Sequence, residues 1–152
     1  MTPTRIRVLA AAAAVSVLVS WLVLRSVYAS LPPLPWTAAV AMVLLAIAEA
    51  LSGRNLRARI RGGPRMKPIA PLAAVRMAAL AKASSHAAAV IGGLAVGGLV
   101  YLTSSLSKPV PRSDAITSGG TFLAAVLLVL AALYLEHSCR VPSDDERQRA
   151  PR

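Results

Sequence analysis

The sequence predicts an all-α integral membrane protein: a bundle of four transmembrane helices with a long third helix extending into the cytoplasm. Three observations carry that reading. Hydrophobic residues make up 56% of the 152-residue chain and charged residues only 15%, whereas soluble domains carry about 25% charged residues. Mean hydropathy is +0.61, and a water-soluble fold of this length has too little interior for so much apolar side chain. The apolar residues also fall in four runs, each near the roughly 20 residues that cross a bilayer core about 30 Å thick. Disorder is excluded for the bulk of the chain, because it requires low hydrophobicity. Helices are the required conformation, since lipid offers nothing to hydrogen-bond an exposed backbone, and the runs lack the alternation of barrel strands.

The first run covers residues 8–24, is rich in Ala and Val, and meets no charge until Arg25. Its length corresponds to about 26 Å of helix, enough to span if Arg25 extends its charged head to the interface. Arg5 and Arg7 precede it and Val27-Tyr28-Ala29 resembles a signal cleavage site. The run is longer than the usual signal core and Arg25 interrupts the approach to that site, so a retained helix is the favoured reading. The second run, 35–51, opens at the turn Leu31-Pro32-Pro33-Leu34-Pro35 and is expected to end at Ser52-Gly53, glycine being the usual C-terminal stop. A basic cytoplasmic loop, 52–70, is expected to follow.

The third helix is expected over 71–106. Leu72, Val75, Met77, Leu80 and many alanines precede the apolar stretch, with no Gly or Pro until Gly92, and Ala and Leu are strong helix formers. Such a helix reaches about 54 Å, so its first turns project beyond the hydrocarbon. The fourth run, 115–135, is the most hydrophobic. Residues 107–114 are expected to form a short outer loop containing Asp114. Residues 1–142 thus form one transmembrane domain, and 143–152 a disordered charged tail.

Charge sets the orientation. Lys and Arg number 17 against 6 acids, a formal net charge of +11. No nucleic-acid partner is expected, because no nucleic-acid-binding signature and only six aromatic residues accompany the charge. Fourteen of the 17 cations flank the runs on one side, leaving Arg25, Lys108 and Arg112 on the other. The positive-inside rule then places both termini in the cytoplasm of a plasma-membrane protein. Trp21, Tyr28, Trp36 and Tyr101 fall near the opposite ends of their runs, where amphipathic rings favour the interface.

Within the basic loop, Arg54, Arg57, Arg59, Arg61 and Arg65 are read as contacts to anionic lipid phosphates of the inner leaflet, worth about 1 kcal/mol each near the surface. The acidic face of a soluble partner is the alternative. Ser85, Ala89, Gly93 and Gly97 recur every four residues and share one helix face. Small residues let helix backbones approach closely in lipid. Similar rows are Ala12, Ser16 and Ser20 on the first run and Gly120 and Ala124 on the fourth. Packing within one chain is the favoured reading of these rows, and homodimerisation the sharper one.

Four ionisable residues, Glu49, Lys82, His86 and Glu136, lie at comparable depth near the cytoplasmic ends of the runs. Charges near lipid are costly unless paired or extended to water, so they invite a functional reading. One reading gathers them into a polar site that relays protons or holds a polar ligand. The favoured one makes them ion pairs that fix helix depth and register. No metal or cofactor site is expected, and the sequence carries no hydrolase, metalloprotease or nucleotide-binding signature. The lone cysteine, Cys139, has no metal-type spacing around it and reads as an ordinary thiol.

The chain also resembles a family of small actinobacterial four-helix integral membrane proteins of unknown function, often encoded near folate-biosynthesis genes. The residues that carry the resemblance are Pro35-Trp36, the basic stretch Arg57 to Gly63, Pro71-Leu72-Ala73-Ala74-Val75-Arg76, Leu80-Ala81-Lys82-Ala83-Ser84, and Leu135-Glu136 followed by Cys139-Arg140-Val141-Pro142. The resemblance implies the same four-helix topology and supplies no catalytic residues. The function expected is that of a non-enzymatic accessory or assembly protein. It would act through helix packing and a basic surface on anionic lipids, and on another membrane protein or a second copy of itself. The alternative is a small oligomeric transporter or channel. Reporter fusions test the orientation: a cytoplasm-dependent reporter is expected to be active at either terminus, and an export-dependent one only between the first and second or the third and fourth helices.

Overall fold

A computed structural model describes residues 6–28, 35–61, 71–103 and 109–139. These residues form four long helices packed as a bundle: α1 (Ile6–Val27), α2 (Thr37–Arg61), α3 (Pro71–Leu102) and α4 (Pro109–Ser138). Each is long and apolar enough to cross a membrane. Contacts run in the order α1 to α3, α3 to α4, and α4 to α2. The order in space therefore differs from the order in sequence. Half of the membrane-length window of α3 is buried, against 17% for α1 and 22% for α2, so α3 and α4 are central and α1 and α2 flank them.

The contacts also fix directions. Gly93 and Gly97 of α3 meet Ser16 and Ser20 of α1 in ascending order, so these two helices are parallel. Gly92 meets Ala125 and Gly98 meets Ser118, so α3 and α4 are antiparallel. The start of α1, the end of α2, the start of α3 and the end of α4 thus share one end of the bundle. It carries Arg54 and Arg57 and is called here the basic end. The other, carrying Tyr28 and Tyr101, is the tyrosine end.

Two helices, α2 and α4, run well beyond their apolar patterns. α2 does not stop at Ser52-Gly53 but continues through Arg61. Gly53 is buried inside the helix, where an added Cβ would lie 3.0 Å from the Tyr134 ring of α4. That glycine makes room for a ring rather than ending a helix. Beyond it Leu56, 3% exposed, packs with Ala81 and Leu135 and gives the extra turns a tertiary anchor. The expected loop is therefore helical over its first ten residues. α4 begins at Pro109 rather than Ala115, because Pro109 and Pro111 fall in the first turn, where backbone N–H groups have no intrahelical partner to lose. α3 starts at Pro71 as expected and is helical to Leu102, a length of about 48 Å.

Small residues set the spacing of the bundle. A Cβ at Gly93 would overlap the Ala13 carbonyl, and one at Gly97 would lie 2.5 Å from the Val17 carbonyl oxygen and 2.7 Å from the Ser20 Cβ. The Ser20 hydroxyl donates to the Leu94 carbonyl at 2.8 Å, crossing from α1 to α3, and Ser16 turns back to the Ala12 carbonyl at 2.8 Å. The Gly93/Gly97 face is thus occupied by α1 of the same chain. Gly120 and Ala124 part company: Ala124, 2% exposed, lies in the apolar cluster with Met42, Ala46, Ala88 and Leu128, whereas Gly120 is exposed, with nothing within 4 Å of an added Cβ.

Alanine at Gly93 or Gly97 is expected to push α1 off α3 and destabilise the bundle by about 1–3 kcal/mol. Alanine at Gly119 or Gly120 is expected to leave stability unchanged or slightly raised. Thermal unfolding of the four variants in one detergent checks this, and equal losses at all four positions would contradict the packing.

Candidate functional site

Near the basic end, the four ionisable residues singled out by the sequence do not form one cluster. Glu49, on α2, is 2% exposed and faces Ser84 of α3. Lys82 and His86 lie two residues to either side of Ser84, about 200° around the helix from the Glu49 side. They share instead the face of Gly93, which lies about three turns up the chain from Lys82 and about two from His86. Lys82 is exposed, and the His86 Nδ1 is bonded to the Lys82 carbonyl at 2.7 Å. Glu136 is half-buried on α4. Because Gly53 abuts Tyr134, Glu49 is level with about residue 130 of α4, which leaves Glu136 roughly 9 Å further toward the basic end.

Neither oxygen of Glu49 has a hydrogen-bond partner among the described residues. The Ser84 hydroxyl that faces it donates to its own helix, to the Leu80 carbonyl at 3.0 Å. Ser85, fully buried, likewise turns to the Lys82 carbonyl at 2.9 Å. An uncompensated carboxyl group therefore stands where α2, α3 and α4 meet.

Of the arginines read as lipid contacts, Arg54 is exposed and Arg57 half-buried on the final turns of α2. The side chains of Arg59 and Arg61, and all of Arg65, lie outside the described residues. Cys139 is half-buried just past α4. Burial pushes its thiol pKa up, and the nearby Glu136 charge adds to the rise, the opposite of what a reactive thiolate needs. Among the described residues no group of three or more His, Cys, Asp or Glu is placed to hold a metal ion.

The tyrosine end holds a second polar group, at a position expected to lie in the outer loop. Asp114 belongs to α4 and is 4% exposed. The Tyr28 hydroxyl, just past α1, donates to its Oδ2 at 2.9 Å. The Tyr28 ring packs on Tyr101 of α3, with centroids 5.3 Å apart and planes tilted by 58°. One turn along α4, Ser118 is 1% exposed and its hydroxyl has no partner among the described residues. On α1, three residues before Tyr28, Arg25 lies 5.6 Å from the centre of the Trp21 ring, within cation–π range. The signal was present in the sequence: Asp114, Ser118 and Thr121 recur at i, i+4 and i+7, the spacing of one helix face.

This cluster ties α1, α3 and α4 together through one phenol and one carboxylate. Burial, then the hydrogen bond to Asp114, then the charges of Asp114 and Tyr101, push the Tyr28 pKa up to about 12 from 10.0.

A protein-family comparison matches residues 9–143 to a family described as proteins of unknown function, DUF3180. The chain belongs to the DUF3180 family. No curated protein and no solved structure matches it. This DUF3180 chain is thus a four-helix membrane protein whose family has no assigned activity.

The Tyr28–Asp114 pair generates a pH prediction for this chain. Folding favours the neutral phenol, so its contribution is complete below pH 10.0 and is lost as pH rises through about 12. In an absorbance titration of the folded protein, one of the three tyrosines is expected to ionise late. Tyr28→Phe is expected to remove that step and to cost about 1 kcal/mol of stability. A variant that keeps the late step would assign it to another ring.

Proposed function

We propose that this protein is a non-enzymatic accessory or assembly factor of the plasma membrane, with both termini in the cytoplasm. It acts by packing its apolar flanks on another membrane protein and by setting a basic surface against the inner leaflet. The observation that carries this reading is the helical extension of α2. The helix continues past Gly53 to Arg61, so Arg54 and Arg57 are presented on a helix anchored to the bundle through Leu56, not on a slack loop. Each cation near an anionic surface contributes about 1 kcal/mol.

The flanking helices support the packing half of the proposal. Along α1, Leu18, Leu22 and Val15 are exposed, and along α2 Leu44, Ile47 and Leu51. These faces suit lipid and equally suit apposed helices, since lipid tails and leucine are alike in polarity. A transporter built from several copies is the second reading, favoured by one observation: the buried Glu49, whose oxygens have no hydrogen-bond partner among the described residues.

Crosslinking in native membranes followed by affinity purification and mass spectrometry separates the two. The accessory reading expects a reproducible, stoichiometric membrane partner, recovered at least several-fold less with Arg54→Glu/Arg57→Glu while the protein still accumulates. Self-crosslinks alone would overturn it and direct attention to reconstituted transport.

A further inference from the structure

We propose that Glu49 is a membrane-embedded proton-binding site, and that its bound proton keeps α2 seated on α3 and α4. Glu49 sits between two apolar contacts. On one side Ala46 and Met42 of α2 pack with Ala88 of α3 and Leu128 of α4. On the other Leu56 packs with Ala81 and Leu135. The carboxyl is 2% exposed and both its oxygens lack a hydrogen-bond partner among the described residues.

Among the described residues, the charged and titratable groups around it offer no compensation. On α2 itself Arg54 is five residues on and exposed. On α3, Lys82 and His86 lie on the far side of the helix, and only the uncharged Ser84 faces the carboxyl. On α4, Tyr134 packs against Gly53, one turn away, and Glu136 is another acid, nearer the basic end. An ionised carboxylate is very costly in such a setting. A proton removes the charge and leaves a neutral group with one O–H donor.

The consequence for α2 follows from its place at the edge. Among the described residues α2 packs most extensively on α4, with α3 facing it at Ser84, and Glu49 lies where the three helices meet. Loss of the proton leaves a charge that must be hydrated, and water reaches it by loosening α2 from α3 and α4. The Arg54 and Arg57 turns move with the helix, which couples proton occupancy to the basic surface.

The test uses the full chain in phospholipid vesicles with dicyclohexylcarbodiimide, a lipophilic reagent that modifies protonated carboxyl groups in apolar surroundings. Adducts are mapped by peptide mass spectrometry at several pH values from about pH 6 to about pH 9, where a solvated glutamate is already ionised. Glu49 is expected to carry the adduct at the acidic end, with labelling falling at least fivefold toward the alkaline end. Glu49→Gln, which mimics the protonated form, is expected to accumulate normally, to melt at the wild-type temperature near pH 6, and to lose the fall in melting temperature that the wild type shows on alkalinisation. Absence of an adduct at Glu49 throughout the range would overturn the proposal. So would a Glu49→Gln variant that fails to fold or melts well below wild type at the acidic end, because the ionised form would then be the one the bundle requires.

Discussion

The close approach of α1 and α3 is the contact on which the rest of the bundle depends. In lipid there is no hydrophobic drive between helices, so association rests on van der Waals packing and hydrogen bonds at short range. Gly93 and Gly97 bring the α3 backbone against the Ala13 and Val17 carbonyls, and Ser20 closes the gap with a bond to Leu94. Parallel docking of these two helices leaves the opposite side of α3 for α4. Gly92 and Gly98 admit Ala125 and Ser118 there, and α4 then carries α2 through Gly53 and Ala124. Each seam uses a small residue on one helix to receive a neighbour.

That construction explains where polarity is tolerated. Ser16, Ser84, Ser85 and Thr121 satisfy their hydroxyls on backbone carbonyls of their own helices, so they pack as small groups without an unmet donor, whereas Ser118 has no partner among the described residues. The acids behave differently at the two ends. Asp114 is met by the Tyr28 phenol and helps bind three helices at the tyrosine end. Glu49 is buried as deeply, faces only a serine whose proton is committed elsewhere, and lies in the seam of a flanking helix. One end of the bundle is clamped by a polar contact and the other contains a group whose charge state the packing must accommodate.

The four spans were legible because hydropathy is a local property. A run of apolar residues of bilayer length is read directly, and the small-residue row on α3 is a periodicity within one helix. The ends were less legible where a residue had two uses. Gly53 has the chemistry of a helix stop, but a Tyr134 ring from α4 occupies the space that its missing Cβ leaves. Pro109 and Pro111 have the chemistry of a loop, but they also fit the first turn of a helix, and that placement carries Asp114 from an expected loop into the interior. Grouping Glu49, Lys82, His86 and Glu136 by depth left out the angle around each helix, which places Lys82 and His86 away from Glu49.

By itself, the sequence determined that this chain forms four apolar helices, how long they are to within a few turns, and that its cations gather at one end of them. Those properties depend on composition and on spacing along one segment. Tertiary structure alone decided the neighbours: α3 between α1 and α4, α2 at the edge, Asp114 beneath Tyr28, and Glu49 with no hydrogen-bond partner among the described residues. Such choices depend on which surfaces meet across helices, and four uniformly apolar helices satisfy the same hydropathy in many arrangements. Only the fit of glycine against backbone, ring against glycine and phenol against carboxylate distinguishes among them.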